Sequence, residues 1–395
     1  MRNKGPQQRS HVCVVGRVVL RRVCWQASDK QADGCVMDVL LGIALNTLST
    51  GLLKLLCRVG IECRSFSRAS GVLKELTGIR LGEELLRQTV HLEAANVQRV
   101  SAQEELAPGW KASDNKVAGT DGREVSRCYD SADGVMVPAT TQQSKDKCRL
   151  TVLARRKAMS AEHRRRLPPL RAVKKGSDNG YKAVYVTRLY NQDKSRTLVG
   201  VTHQGMPGLR RLLRRDASRV LLRGATERVG LTDGAVGLRR CLERQPLEVI
   251  LLDFYHLSEH VAASCTAVFG EKSAGGAAWL SQTLHIVRHQ GYEPFYERLL
   301  DWRGGLRGGK RKAVDKLIAY VVERREMIRY DVADAKGWDV GSGPIESQCG
   351  ATTDRIKGRG RRWDLANAAG MMAMEALHQS NLWESYWKAR LLPHN

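Results

Sequence analysis

The chain has 395 residues, 42% hydrophobic and 27% charged, enough for two or three domains with cores, and the composition is neither disordered nor membrane-spanning. Its 65 Lys and Arg against 41 Asp and Glu leave a net charge of +24, which points to a phosphate-rich partner, nucleic acid first; a ribosome-associated or simply basic soluble protein is the bland alternative. Ten cysteines without a repeated close spacing, no signal-peptide pattern and no long apolar run favour a cytosolic protein with reduced thiols over a disulfide framework or a membrane protein.

Residues 1–35 form the first segment, in which VCVVGRVVLRRVCW alternates as a strand or hairpin does. Cys24 and Cys35 bracket a polar loop, with His11 and Cys13 nearby. A zinc ribbon needs two close ligand pairs, so no structural zinc is expected. Over 36–107, LLGIALNTLSTGLLKLLCRVGI and GVLKELTGIRLGEELLRQTVHLEAANV place apolar residues at i, i+3, i+4 and i+7, which predicts three or so amphipathic helices. Polar residues with Pro, Gly, Asp and Asn mark 108–127 as a linker.

The pattern then changes. Over 128–256, CYDSADGVMVP, KAVYVTRLY and RTLVGVT read as strands, PGLRRLLRRDASRVLL as a helix, and ERVGLTDGA and LEVILLDF as further short strands, giving the order β-β-β-α-β-α-β. Between the first two strands, the basic, Pro-containing segment 145–180 reads as a long, exposed insertion or loop. From 257 to 340 the chain is helical, through AAWLSQTLHIVRHQ, EPFYERLLDW and AVDKLIAYVVERREMIRY, with the Gly-rich RGGLRGGKRK as a turn. In 341–395, read as the C-terminal helices of the same sheet core, GSGPIESQ opens a helix: Ser342 suits the N-cap, Pro344 the first turn and Glu346 the positive helix start. ANAAGMMAMEALHQ forms the final helix, its Met stripe facing a core.

Three antiparallel strands followed by α-β-α-β, with acids ending the first and fourth strands, is the plan of a ribonuclease H-like α/β core. That core is a mixed five-stranded sheet of order 3-2-1-4-5, here interrupted by an all-helical insertion and preceded by a mostly helical N-terminal domain. Its fourth strand runs parallel beside its first, so Asp133 and Asp233 stand at matching heights, and Glu346 supplies a third carboxylate from beyond the insertion. Such a set suits two divalent ions, Mg2+ or Mn2+, held about 3.5 to 4 Å apart for in-line attack on a phosphodiester. The bland readings are that Asp-Gly pairs mark turns and that Glu346 serves the helix dipole.

EVILLDFYHLSEH offers a competing pair, Asp253 and His256. Asp253 ends the next strand out, which at about 4.8 Å per strand puts it roughly 10 Å from Asp133. Asp253 and His256 are therefore assigned a supporting role, positioning the insertion or contacting DNA. His256, Glu259 and His260 also spell the H-x-x-E-H of one zinc peptidase class, a reading that needs a further carboxylate ligand and leaves the charge of +24 without a use.

In this order, DGVMVP, LTDGA, DFYH, FYERLLDW, GSGPIES and GRGRRWDLANAAGMMAMEAL resemble the ISKra-type bacterial insertion-sequence transposases of the wider Mutator-like DDE group, over roughly residues 125–390. Upstream, GRVVLRRVCW, LLGI and SFSRASGVLKELTGIRL resemble the family's N-terminal region, where a Cys-rich ribbon precedes a helical DNA-binding domain; here most of the ribbon's cysteine pairs are missing. The resemblance implies a transposase that binds double-stranded transposon-end and target DNA and cuts and joins strands with two Mg2+ or Mn2+ ions. Its acidic triad falls on Asp133, Asp233 and Glu346, and its C/D-x-x-H motif on Asp253 and His256. Residues 257–340 correspond to the helical insertion, 36–107 would read the ends, and a homo-oligomer would assemble on paired ends at the cytoplasmic nucleoid. Arg355, Lys357, Arg359, Arg361 and Arg362 are expected to contact phosphates beside a stacking Trp363, against the plain alternative of a solvated helix terminus. The rival to an active enzyme is a DNA-binding descendant that has lost cleavage.

Overall fold

The computed structural model describes residues 2–26, 33–35, 38, 47–103, 106–170 and 172–391. The expected LLGI helix start, at 40–43, lies outside them. The chain is mixed α/β and divides into two compact units: a helical one formed by residues 1–106, 136–183 and 352–395, and a sheet-containing one formed by 107–135 and 184–351.

The helical unit opens with the expected hairpin. Strand β1 (Arg2–Cys13) pairs antiparallel with β2 (Gly16–Gln26), and Gly16, at φ 114°, takes the backbone through the turn; a two-residue β3 (Asp33–Gly34) pairs with the end of β2. Three amphipathic helices follow, Thr50–Glu62, Phe66–Thr77 and Glu83–Ala102. Ser49 and Ser65 cap the first two by accepting from Leu52 N and Arg68 N at 3.2 and 3.0 Å. Their buried Leu52, Leu56, Leu73, Leu86 and Val90 face one another, each contributing on the order of 2 kcal/mol.

Against these pack the C-terminal helices Leu365–Gln379 and Trp383–Leu391. Gly370 lies so close to the third helix that a Cβ there would sit 3.1 Å from the Ala94 methyl, and Arg390 Nε donates to buried Glu93 at 3.1 Å. The expectation that 341–395 belongs wholly with the sheet core is thus corrected: from residue 352 the chain groups with the N-terminal helices. Its small-residue face, ANAAG, permits that close approach.

Of the two readings of 145–180, the exposed insertion fits and the plain loop does not: it holds the helices Gln142–Ala158 and Ala161–Arg166, neither with a buried residue. A helix with no apolar stripe to bury leaves no periodic signal in the sequence.

The other unit holds most of one mixed sheet, made of β4 (Lys116–Ala118), β5 (Glu124–Pro138), β6 (Tyr181–Tyr190), β7 (Thr197–Thr202), β8 (Glu227–Thr232) and β9 (Val249–Leu252). Its path is β7-β6-β5-β8-β9, the order expected from the sequence, and β4 pairs with the start of β5 as an unexpected sixth strand. The proposed linker 108–127 is therefore partly sheet. Strands β5, β8 and β9 run parallel. Buried Tyr129, Tyr190, Val229, Leu231, Leu251 and Leu252 face the helices Phe254–Phe269, Ala274–His289, Tyr292–Gly304, Gly308–Glu323 and Tyr330–Lys336, which fill the stretch expected to be helical.

The β5–β8 register is pinned at its entry by a buried ion pair, Arg127 Nε to Glu227 Oε2 at 2.6 Å. Arg127 also donates to the carbonyls of Lys336 and Gly337, and Trp338 Nε1 donates to Glu227 at 2.9 Å. A one-residue slip would strand both charges, so this cluster specifies the alignment on which the strand ends depend. Among the described residues no helix is long and apolar enough to cross a membrane.

Candidate active site

The parallel pairing of β5 with β8 keeps an offset of one hundred residues, from Arg127 opposite Glu227 to Ser131 opposite Leu231. Two residues further on, the same offset sets Asp133 beside Asp233. From β8 to β9 the offset is twenty, ending at Thr232 opposite Leu252, and Asp253 N donates to Thr232 O at 2.8 Å just beyond. Asp233 and Asp253 thus follow directly on the ends of β8 and β9, while Asp133, level with Asp233, lies within β5 and does not end it as expected, because that strand runs on to Pro138.

Asp133 is half-buried; its Oδ1 accepts from Gly134 N at 2.6 Å and its Oδ2 faces Cys349 Sγ at 3.7 Å. Burial above all, and the negative charges of Asp233 and Glu346, raise its carboxyl above the ordinary value, while the Gly134 and Cys349 hydrogen bonds oppose the rise. The three predicted acids therefore share one electrostatic neighbourhood. None of them forms an ion pair among the described residues.

Asp233 holds the turn after β8, accepting from Ala235 N at 2.8 Å. The next residue must be glycine: Gly234 has φ 81°, and a Cβ there would meet Arg324 Nε and Leu252 Cδ1 at 2.7 Å. Glu346 is exposed on the first turn of Gly343–Thr353, and Ser342, at the expected cap position, donates its hydroxyl to Glu346 Oε1 at 2.8 Å.

Hard carboxylate oxygens with no counter-cation are the donor type a divalent ion takes. The arrangement is looser than a ligand cage, however: among the described residues no three His, Cys, Asp or Glu side chains are grouped closely enough to hold an ion. Asp133 and Asp233 each turn one oxygen to their own backbone, and Glu346 turns one to Ser342.

Asp253 is spent differently. Only 1% exposed, it caps Phe254–Phe269 by accepting from His256 N at 2.6 Å, and its other oxygen accepts from Ser342 N. One buried carboxylate thus ties the start of the helical stretch to the residue that holds Glu346. His256 lies edge-on to His260 with ring centroids 5.1 Å apart, and His260 stacks on Tyr320 at 3.9 Å. Burial lowers the His260 pKa, helped by His256, Arg324 and Lys316. Among the described residues no third His, Cys, Asp or Glu is grouped with the two histidines closely enough to complete an H-x-x-E-H zinc site.

Two of the basic-cluster assignments require correction. Arg355 is 9% exposed and donates to Gly60 O at 3.0 Å and Arg64 O at 2.9 Å, with its guanidinium over the rings of Phe66 and Trp363. Burial, with the charge of Arg361, brings its pKa down to about 10. Trp363 is equally buried and donates to Ile356 O, so it is not free to stack on a base. Lys357, Arg359 and Arg362 are exposed, and Arg361 is half-buried with a bond to Arg355 O.

Sequence reasoning passed over three neighbours of the acids. Cys349 sits three residues after Glu346, a spacing that places both on one helix face and could have flagged it. Arg324 donates to Gly234 O at 3.1 Å and lies over the Tyr320 ring at 4.0 Å. Burial, with Asp233 and Asp253 contributing, pushes the Tyr320 hydroxyl up to about 12. Nothing in VVERREMIRY marks Arg324 apart from its neighbours. No protein-family model matches the chain, and no curated protein matches it.

Proposed function

We propose that this chain is a DDE-type DNA transposase with a ribonuclease H-like core. The observation that carries the reading is the parallel register that sets Asp133 beside Asp233, with the charge of Glu346 acting on the same carboxyl. Asp133 and Asp233 stand level on adjacent parallel strands, Glu346 acts on them from a helix start, and three such unpaired, mutually repelling acids cost stability and suit a cationic reaction centre. The net charge of +24 and the resemblance noted above favour double-stranded DNA as the substrate, with a homo-oligomer on paired ends at the nucleoid.

Asp133, Asp233 and Glu346 would hold the divalent ions. When bound, Mg2+ or Mn2+ supplies charge neutralisation at the phosphodiester and activation of the attacking oxygen. Gly134 N–H and Cys349 orient Asp133, the Ala235 N–H orients Asp233, and Ser342 orients Glu346. Asp253 and His256 act behind them, through Ser342 and the helix that Asp253 caps.

The test is nicking and strand transfer on duplex DNA taken from both flanks of the coding region, with Mg2+ or Mn2+. Asp233→Asn and Glu346→Gln are expected to lower the rate by at least about 100-fold without loss of DNA binding, while His260→Ala retains activity. Cleavage that survives Glu346→Gln would sink the three-carboxylate mechanism. Binding with no cleavage by the parent protein would mark a DNA-binding descendant instead.

A further inference from the structure

Lys145 anchors the start of the Gln142–Ala158 helix, reaching Asp364 at 2.5 Å and Lys174 O at 2.8 Å. Gln142 N donates to Ser177 O at 2.9 Å, closing the base of the excursion. Beyond that base neither this helix nor Ala161–Arg166 buries a residue. Residues 142–175 carry twelve Lys and Arg against two acids, Asp146 and Glu162, so net +10 of the chain's +24 lies on this one arm.

Isolated helices of this length are marginal in water, and like charges one turn apart weaken them further. Glu162 is paired with Arg166 at 2.6 Å, but Lys147, Arg155, Arg156, Lys157 and Arg165 have no carboxylate partner among the described residues. An unpacked helix of mutually repelling cations is stabilised by a polyanion. Its 17 residues extend about 25 Å, long enough to run beside many phosphates of a duplex, which carries one charge per about 1.7 Å.

Leu150 and Leu153, 66% and 46% exposed, offer a smaller apolar alternative in contact with a second copy. Two arms of net +10 would repel each other in that arrangement, so charge decides for nucleic acid. We infer that residues 142–175 form a DNA-backbone clamp, a basic helical arm that grips duplex phosphates without reading sequence. This rests on the reading of the chain as a protein that acts on DNA, and it assigns a surface to that binding separate from the acidic residues.

The experiment compares the full chain with a variant carrying Arg155→Gln, Arg156→Gln, Lys157→Gln, Arg164→Gln, Arg165→Gln and Arg166→Gln, binding a labelled 30-base-pair duplex across a salt series. Because no substituted side chain is buried, the thermal melt should match the parent's. Affinity should fall on the order of 100-fold near 0.1 M salt, with the log–log salt slope shallower by roughly 3 to 5. Equal affinity and slope in parent and variant would overturn the arm and leave the transposase reading standing. A parent that fails to bind duplex at all would overturn both. Loss of a dimer in Leu150→Ser/Leu153→Ser, with unchanged DNA binding in the charge variant, would assign the arm to self-association and refute the clamp.

Discussion

Arg355 makes two charge-assisted bonds to backbone carbonyls and lies against two aromatic rings, at 4.7 Å from the Phe66 centroid and 5.1 Å from that of Trp363. Removing it leaves the carbonyls of Gly60 and Arg64 buried without their donor and a void beside both rings. Arg355→Ala should therefore cost about 2 to 4 kcal/mol in urea unfolding, whereas Lys357→Ala and Arg359→Ala should stay within about 0.5 kcal/mol. A normal Arg355→Ala melt with lost DNA affinity would return the residue to the DNA surface. RIKGRGRRW does not foretell this division. Five basic residues look alike in sequence, and only the hydrogen bond from Trp363 to Ile356 O and the rings around Arg355 separate a core cation from three exposed ones.

At the scale of elements, Asp253 and Asp233 end neighbouring strands yet should answer substitution in opposite ways. Asp253→Ala removes the cap of Phe254–Phe269 and leaves the buried Ser342 N–H without an acceptor, together about 2 to 4 kcal/mol. Asp233 is half-buried and repels Asp133, so Asp233→Asn should be neutral or slightly stabilising when divalent ions are absent. Paired urea melts check both, and a large loss in Asp233→Asn would make that residue structural as well. The sheet was legible because its strands keep apolar, β-branched runs and its parallel order follows from α-β-α-β. The Gln142–Ala158 helix was not, because nothing in it alternates between core and solvent. The C-terminal helices were misassigned because their Ala-Gly-Met face fits any helical neighbour, and sequence does not say which.

Across the whole molecule, the two units should respond to pH with opposite sign. In the helical unit, His91 lies among Phe66 and Trp363 at 5.3 and 5.9 Å, and burial, with Arg87 and Arg355, lowers its pKa to about 4. The unfolded chain takes up this proton near pH 6.5, so the stability His91 confers is present above that value and is lost as pH falls toward 4. In the sheet unit, Asp130 on β5 is 1% exposed with neither oxygen bonded, and burial, with the charge of Asp216, raises its pKa well above normal. Here the native state keeps a proton that the unfolded chain releases above about pH 4, so stability is lost as pH rises. His203 and His260, lowered by burial in the same unit, pull the other way, which makes the variant-minus-parent difference the quantity to read. Asp130→Asn should stabilise β5 and β8 in hydrogen exchange by an amount that grows with pH, at most about 1.4 kcal/mol per unit. His91→Phe should remove the loss of protection in Glu83–Ala102 between pH 6.5 and 4.5, a window around the unfolded-state histidine value. A Glu83–Ala102 profile that still declines in His91→Phe would place the acid-sensitive group elsewhere in the bundle, and a flat Asp130→Asn difference would mean that Asp130 ionises freely in the folded protein.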